Sequence, residues 1–255
     1  MNQSTTSTPQ YNRTALYLRS LAYWIFSICN TLLMALPVLG SSLFSYNLAA
    51  RAAKVWAGVN LFGLRLFCNL SCEVEGRENI PEEGCIVLSK HQSTWETYFL
   101  YCALPHCAFV AKKSLLWIPI FGWAIAALRF IMIDRSSGRT AVVQMIEQAR
   151  DRLARGISIV VFPEGTRMKP GAETNYRIGG AAMAEQTGAS VLPVAVNSGE
   201  FWPRMGFIKW PGKISVRIGP TISSEGKTAA AIIQETETWI EAEMAKITKI
   251  DRFPY

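Results

Sequence analysis

The chain has 255 residues, 50% of them hydrophobic and only 18% charged, with a formal net charge of +7. That length holds one sizeable α/β domain plus an anchoring segment, and the charged share falls below the roughly 25% of an ordinary soluble domain. The basic excess calls for anionic partners. Because the cations are dispersed and no nucleic-acid-binding signature occurs, lipid headgroups and phosphorylated metabolites are favoured and nucleic acid is not. The six cysteines include no CxxC pair, so no metal site is expected and the thiols read as small core hydrophobes.

Residues 1–12 are polar, rich in Ser, Thr and Gln, and read as a disordered tail. Ser20 to Ala50 then contains no charged residue. As one helix this stretch would run about 46 Å against a hydrocarbon core of roughly 30 Å, whereas two complete spans need about 40 residues. Pro37, followed by Gly40, Ser41 and Ser42, places a kink or turn near its middle. Arg13 and Arg19 precede the stretch, and Arg51, Lys54 and Arg65 follow it. Positive charge on both flanks favours both ends on the cytoplasmic side, so the expectation is a shallow helical hairpin rather than a single tilted span. Over 13–69 this makes a membrane-associated helical segment, with 51–69 continuing as a surface helix that carries Arg51, Lys54 and Arg65 on one arc.

From residue 70 to 255 strands alternate with helices. Runs rich in β-formers occur at 71–75, 85–89, 107–111, 129–133, 157–162, 191–196 and 213–218, and helical patterns at 93–103, 138–154, 176–187 and 227–247. The fold class expected is α/β: a mostly parallel mixed sheet of about seven strands with helices on both faces, behind an N-terminal helical membrane anchor.

Two histidines are present, His91 and His106. His91 follows the strand at 85–89, at the carboxyl end where open α/β sheets place their sites. With Glu96 it forms the pair suited to removing a proton from an alcohol: the imidazole accepts, and the carboxylate orients the ring. Positions i and i+5 diverge on a helix, so the two meet only if His91 precedes the helix start. Ser93-x-x-Glu96 is equally a capping box, in which Glu96 bonds back to the backbone and does no chemistry. His106, with no carboxylate near it in sequence, is expected to be structural. Phe162-Pro163-Glu164-Gly165-Thr166-Arg167, Lys112-Lys113 and Ile133-Asp134-Arg135 each end a strand, and Pro119-x-x-Gly122 lies close after Lys113. Cations and a glycine turn gathered at strand ends can make a phosphate site. The uncharged run Leu115–Leu128 suits an acyl channel, a bilayer contact or a plain core helix. The aromatic string from Phe201 to Trp210 suits an interfacial contact or a loop packed on the sheet.

These strings, in this order over residues 70–220, resemble the glycerolipid acyltransferase family, and within it the bacterial 1-acyl-sn-glycerol-3-phosphate acyltransferases. The family's His-x4-Asp/Glu motif matches His91 and Glu96. Its second motif matches Lys112 through Pro119 and Gly122 to Ile133-Asp134-Arg135, its third is Phe162–Arg167 unchanged, and its fourth matches Val191-Leu192-Pro193-Val194. Glu96 stands where Asp is commoner, and Lys90 where Asn is more usual. The resemblance implies catalysis by His91 and Glu96, and binding of the acceptor's phosphate by Lys112, Arg135, Glu164, Gly165, Thr166 and Arg167. It implies no cofactor, with acyl-CoA or acyl carrier protein as co-substrate and lysophosphatidic acid and membrane lipids as partners. The implied place is the cytoplasmic face of the inner membrane. The same chemistry on another lysolipid or on glycerol 3-phosphate, or a catalytically inactive lipid-binding scaffold, are the alternatives. A Gly-x-Ser-x-Gly elbow is missing, in keeping with direct transfer from an already activated thioester.

Overall fold

The computed structural model describes residues 11–134 and 138–249. Most of the expected tail, and Arg135 of the expected phosphate group, lie outside the described residues.

Two long helices open the chain: α1, Arg13–Ser42, and α2, Tyr46–Cys68. Asn12 caps the first by accepting from the Ala15 amide at 3.2 Å, and Ser45 caps the second by accepting from the Asn47 amide at 3.2 Å. The hairpin expected from the charge pattern is present, but its turn is displaced. The helix runs through Pro37 to Ser42, and the chain reverses at residues 43–45. A single proline removes one amide donor, which a long helix tolerates; the reversal occurs where Ser45 can start the next helix.

The distribution of side chains on this pair is inside out for a soluble protein. Buried along α1 are Leu16, Ser20, Tyr23, Ser27, Asn30, Ala35 and Val38, and along α2 Ala49, Ala50, Ala53, Ala57, Asn60, Gly63 and Leu64. Small and polar groups therefore fill the seam. Ser27 Oγ donates to Asn60 Oδ1 at 2.7 Å, and Asn30 Nδ2 donates to the Trp56 carbonyl at 3.1 Å. A Cβ on Gly63 would fall 2.4 Å from the Phe26 ring, so close approach requires glycine there. Facing outward instead are Leu18, Leu21, Ile25, Ile28, Leu32, Leu33 and Leu36, with Leu43 and Phe44 at the tip more than 80% exposed. Polar seams with leucine outside are the pattern of helices packed in lipid. By length and composition α1 is able to cross a membrane.

The helical pair ends at Cys68. Asn69, in the left-handed region at φ 51°, turns the chain into the sheet at Leu70. The seven strands are β1 Leu70–Glu75, β2 Ile86–Ser89, β3 Cys107–Lys112, β4 Ile131–Ile133, β5 Ser158–Val161, β6 Val191–Val196 and β7 Gly212–Ile218. Their order is β1-β7-β6-β2-β5-β3-β4, parallel throughout except between β6 and β7. Strands β2, β5 and β6 are buried at every residue, as a sheet covered on both faces requires. One face packs on α1, α2 and α3 (Trp95–Ala103), whose Tyr23, Leu64, Trp95 and Phe99 share a core with Val87, Phe109, Val194 and Ile214. The other packs on α5 (Gly138–Ala154), α6 (Gly179–Thr187) and α7 (Ala229–Ile247) through Met145, Ala149, Met183 and Ile232. The short α4, Phe121–Ala127, follows β3 and lies against α1.

The aromatic string after β6 is a packed loop. Phe201, Trp202 and Trp210 are buried, as is Lys209, whose backbone amide donates to Ser20 Oγ at 3.0 Å. The Lys209 ammonium sits 3.8 Å from the Trp24 ring centroid and donates to the Phe207 carbonyl at 2.7 Å. Burial pulls its pKa down to about 7. This loop fastens α1 to the sheet; Met205 at its tip remains outside, 91% exposed.

Candidate active site

Strand β2 delivers the chain to Lys90-His91-Gln92-Ser93-Thr94, and α3 begins at Trp95. His91 thus precedes the helix, and the i, i+5 spacing is no obstacle. His91 Nδ1 lies 2.8 Å from Glu96 Oε1. The same oxygen accepts from the backbone amides of Gln92 at 2.8 Å and Ser93 at 2.7 Å, while Oε2 accepts from Ser198 Oγ at 2.6 Å. Capping and histidine-holding, which the sequence presents as alternatives, are one arrangement. Two amides pin the carboxylate so that it can pin the ring. Glu96 is 1% exposed, and a buried carboxylate persists only when its lone pairs are used in this way. With a carboxylate facing Nδ1, the proton belongs on Nδ1 and the basic lone pair on Nε2. The ring stacks on Phe162 at 3.8 Å between centroids, and Nε2 makes no hydrogen bond among the described residues.

The segment 162–168 holds the His91 backbone from both sides. The His91 amide donates to Glu164 Oε1 at 3.3 Å, and the His91 carbonyl accepts from the Met168 amide at 2.7 Å. Gly165 makes the turn at φ 68°, which a side chain adopts only under strain. Glu164 is buried beneath His91, with Lys90 Nζ 3.7 Å from Oε1. Desolvation pushes its pKa up to about 7, against the opposing pull of Lys90.

Strands β2, β5 and β3 are parallel neighbours, so His91, the Phe162–Arg167 segment and Lys112 leave the sheet at the same edge. Lys112 and Thr166 are exposed there and Arg167 is half-buried. A Cβ on Gly122 would fall 2.4 Å from the Leu116 carbonyl oxygen, so glycine is needed there for backbone packing. His106 lies at the opposite edge, before β3, where burial holds its pKa below the usual value. Among the described residues no three His, Cys, Asp or Glu side chains gather as a metal ion would require.

Ser198, Tyr176 and Glu241 are the contributors that sequence reasoning missed. Ser198 is 102 residues from Glu96, and nothing in its local string distinguishes it from any turn serine after a strand.

Beside this centre lies an apolar cavity of about 240 Å³ between α1, α2, α3 and α4, lined among others by Leu32, Ala35, Trp56, Tyr101, Phe121 and Phe130. Thr97, the neighbour of Glu96, also lines it, and a run of ring contacts connects Phe130 through Phe109 and Phe162 to His91. Part of the uncharged run Leu115–Leu128 lines this cavity, while Trp117 and Trp123 point outward.

A buried carboxylate thus orients a histidine beside an apolar cavity, and residues 71–197, which carry this pair, match the family model described as Acyltransferase. The chain belongs to this acyltransferase family, the one that includes the 1-acyl-sn-glycerol-3-phosphate acyltransferases. It is 42% identical over 200 residues to the 1-acyl-sn-glycerol-3-phosphate acyltransferase of Pseudomonas aeruginosa, covering 77% of this chain and 78% of that one. To the alpha form from Mus musculus it is 31% identical over 172 residues, covering 66% of this chain and 58% of that one. The fold matches the crystal structure of the 1-acyl-sn-glycerophosphate (LPA) acyltransferase PlsC from Thermotoga maritima. The TM-score is 0.76 at 22% identity, over 95% of this chain and 99% of that one.

Proposed function

We propose that the enzyme transfers a fatty acyl group from acyl-CoA or acyl carrier protein to the sn-2 hydroxyl of 1-acyl-sn-glycerol 3-phosphate, giving phosphatidic acid. The observation that carries this reading is the His91–Glu96 pair, with Nε2 open, at the sheet edge that also bears Lys112 and Arg167. His91 Nε2 takes the hydroxyl proton as the oxygen attacks the thioester carbonyl. The tetrahedral intermediate collapses with loss of the thiolate, which recovers the proton from the imidazolium. Glu96 holds the ring and offsets the positive charge that it gains. No acyl-enzyme is required, and the cysteines are poor candidates for one: burial pushes Cys68 and Cys85 up to about 11.

Lys112, Thr166 and Arg167, with Arg135, bind the acceptor's phosphate, a Lys/Arg cluster suited to a dianion. The apolar cavity takes an acyl chain. The leucine face of α1 and the Leu43–Phe44 tip sit in the cytoplasmic leaflet of the inner membrane. Arg13, Arg51 and Arg65 stay on the cytoplasmic side with the sheet.

The test is turnover by purified protein in detergent micelles, offered a panel of lysolipids and glycerol 3-phosphate with both acyl donors. Phosphatidic acid formation from lysophosphatidic acid, abolished in His91→Ala, supports the reading. A preference for an acceptor lacking phosphate refutes it.

A further inference from the structure

Lys90 is 3% exposed, yet its side chain is committed to two carboxylates from distant parts of the chain. Nζ lies 2.6 Å from Glu241 Oε1 on α7 and 3.7 Å from Glu164 Oε1 in the segment after β5. The same Glu241 oxygen accepts from the Tyr176 hydroxyl at 2.8 Å, and the Tyr176 ring centroid is 5.7 Å from Lys90 Nζ. Glu164 Oε1 in turn accepts from the His91 amide, and Glu164 Oε2 is buried with no hydrogen-bond partner among the described residues. A run of charges therefore leads from an exposed helix through a buried ammonium to the backbone of the base. Neither Glu241 nor Tyr176 lies in any of the four sequence motifs.

We propose that Glu241, Tyr176 and Lys90 are positioning residues that set the ionisation of Glu164 and thereby the pH range in which the His91 loop is held for catalysis. The inference rests on the reading of His91 as the base. Lys90 is the nearby cation that favours the ionised form of Glu164, and the ionised carboxylate is the stronger acceptor for the His91 amide. Glu241 and Tyr176 fix where that cation sits. Glu241 also draws part of the Lys90 charge to itself, which works against the ionisation of Glu164. The other charged or titratable groups near Glu164 are His91 beside Lys90, Glu96 on α3, and Arg177, whose guanidinium packs against Gly165. None of these changes in Lys90→Met, Glu241→Gln or Glu164→Gln.

The two ends of the run then predict opposite shifts. Lys90→Met removes the cation, so Glu164 holds its proton to higher pH. The acid limb of the kcat/KM profile should rise by about one pH unit, the size of effect an opposite charge within about 4–6 Å produces. Glu241→Gln removes the competing anion while its amide oxygen still accepts from Tyr176 and Lys90, so the acid limb should move the other way, to lower pH. The Glu164→Gln background, in which that carboxylate cannot titrate, assigns the shift to Glu164. A merely structural role would lower activity at every pH and leave the limb in place.

The experiment measures pH–rate profiles for wild type, Lys90→Met, Glu241→Gln and Glu164→Gln with lysophosphatidic acid and an acyl thioester, beside His91→Ala. Glu164→Gln should flatten the response of the limb to a second Glu241→Gln change, which keeps the test open should Lys90→Met fold poorly. Limbs that do not move, or that move in the same direction in Lys90→Met and Glu241→Gln, overturn the inference while leaving the base assignment intact. Full activity in His91→Ala overturns the base assignment itself.

Discussion

Replacing Glu96 by glutamine separates its charge from its shape. In the native protein Oε1 receives three donors, from His91 Nδ1 and the amides of Gln92 and Ser93, and Oε2 receives the Ser198 hydroxyl. Glutamine can keep its oxygen where the two amides point, because its NH₂ group there would face donors. The NH₂ then meets the Ser198 hydroxyl, which can turn to accept. The His91 tautomer is therefore preserved, unlike in a site where nothing prevents the amide from flipping. What is lost is the charge facing the imidazolium. A charge-assisted hydrogen bond contributes about 1.5–3 kcal/mol against about 0.5–1.5 for a neutral one. The difference of about 1–2 kcal/mol corresponds to a loss of roughly 5- to 30-fold in kcat/KM. Glu96→Ala is different in kind. It strands up to four buried donors, at about 1–3 kcal/mol each, and should unfold at markedly lower temperature. The assay is steady-state acyl transfer in micelles with thermal melts followed by circular dichroism. Wild-type activity in Glu96→Gln, or a melting loss equal to that of Glu96→Ala, would refute the reasoning.

His91→Ala, which removes the proposed base, should reduce kcat by about 10²–10⁴-fold with little effect on melting, since among the described residues the ring's one hydrogen bond is to Glu96. Arg167→Ala should raise the KM for the lysolipid by about 10- to 150-fold, equivalent to roughly 1.5–3 kcal/mol, and leave that for the acyl donor nearly unchanged; a change confined to the donor would move Arg167 to the carrier site. Glu164 is raised to about 7, above its ordinary value of about 4.3, so the folded protein binds more protons than the unfolded one between those limits. Its contribution to stability therefore falls as pH rises through that window, and the melting temperature of Glu164→Gln relative to wild type should climb between pH 5 and pH 8. Aspartate at both Leu43 and Phe44, each more than 80% exposed at the hairpin tip, should lower vesicle binding at least tenfold without changing the melt, because each apolar side chain buried in lipid contributes about 1.5–3 kcal/mol.

Much of this protein follows from local strings. The seven strands and four of the helices lie within a few residues of where short β-branched runs and 3.6-residue periodicity place them, because short continuous apolar runs suit strands covered on both faces and longer amphipathic ones suit helices covered on one. The strand-end position of His91, the turn at Gly165 and the positive flanks of the uncharged stretch are equally local, and all are legible in the order of residues. Contacts between distant segments decided the rest. That Glu96 both caps a helix and holds a histidine depended on where Ser198 and two amides fall around one carboxylate. That Glu164 is a buried partner of Lys90, and that α7 brings Glu241 to the same ammonium, follows only from the tertiary packing. The inverted faces of α1 and α2 also appear only after packing, since composition records that a stretch is apolar but not which side it turns outward. A hydrogen bond spanning 102 residues leaves no mark in either local string, and its existence depends on the sheet that carries both ends to one edge.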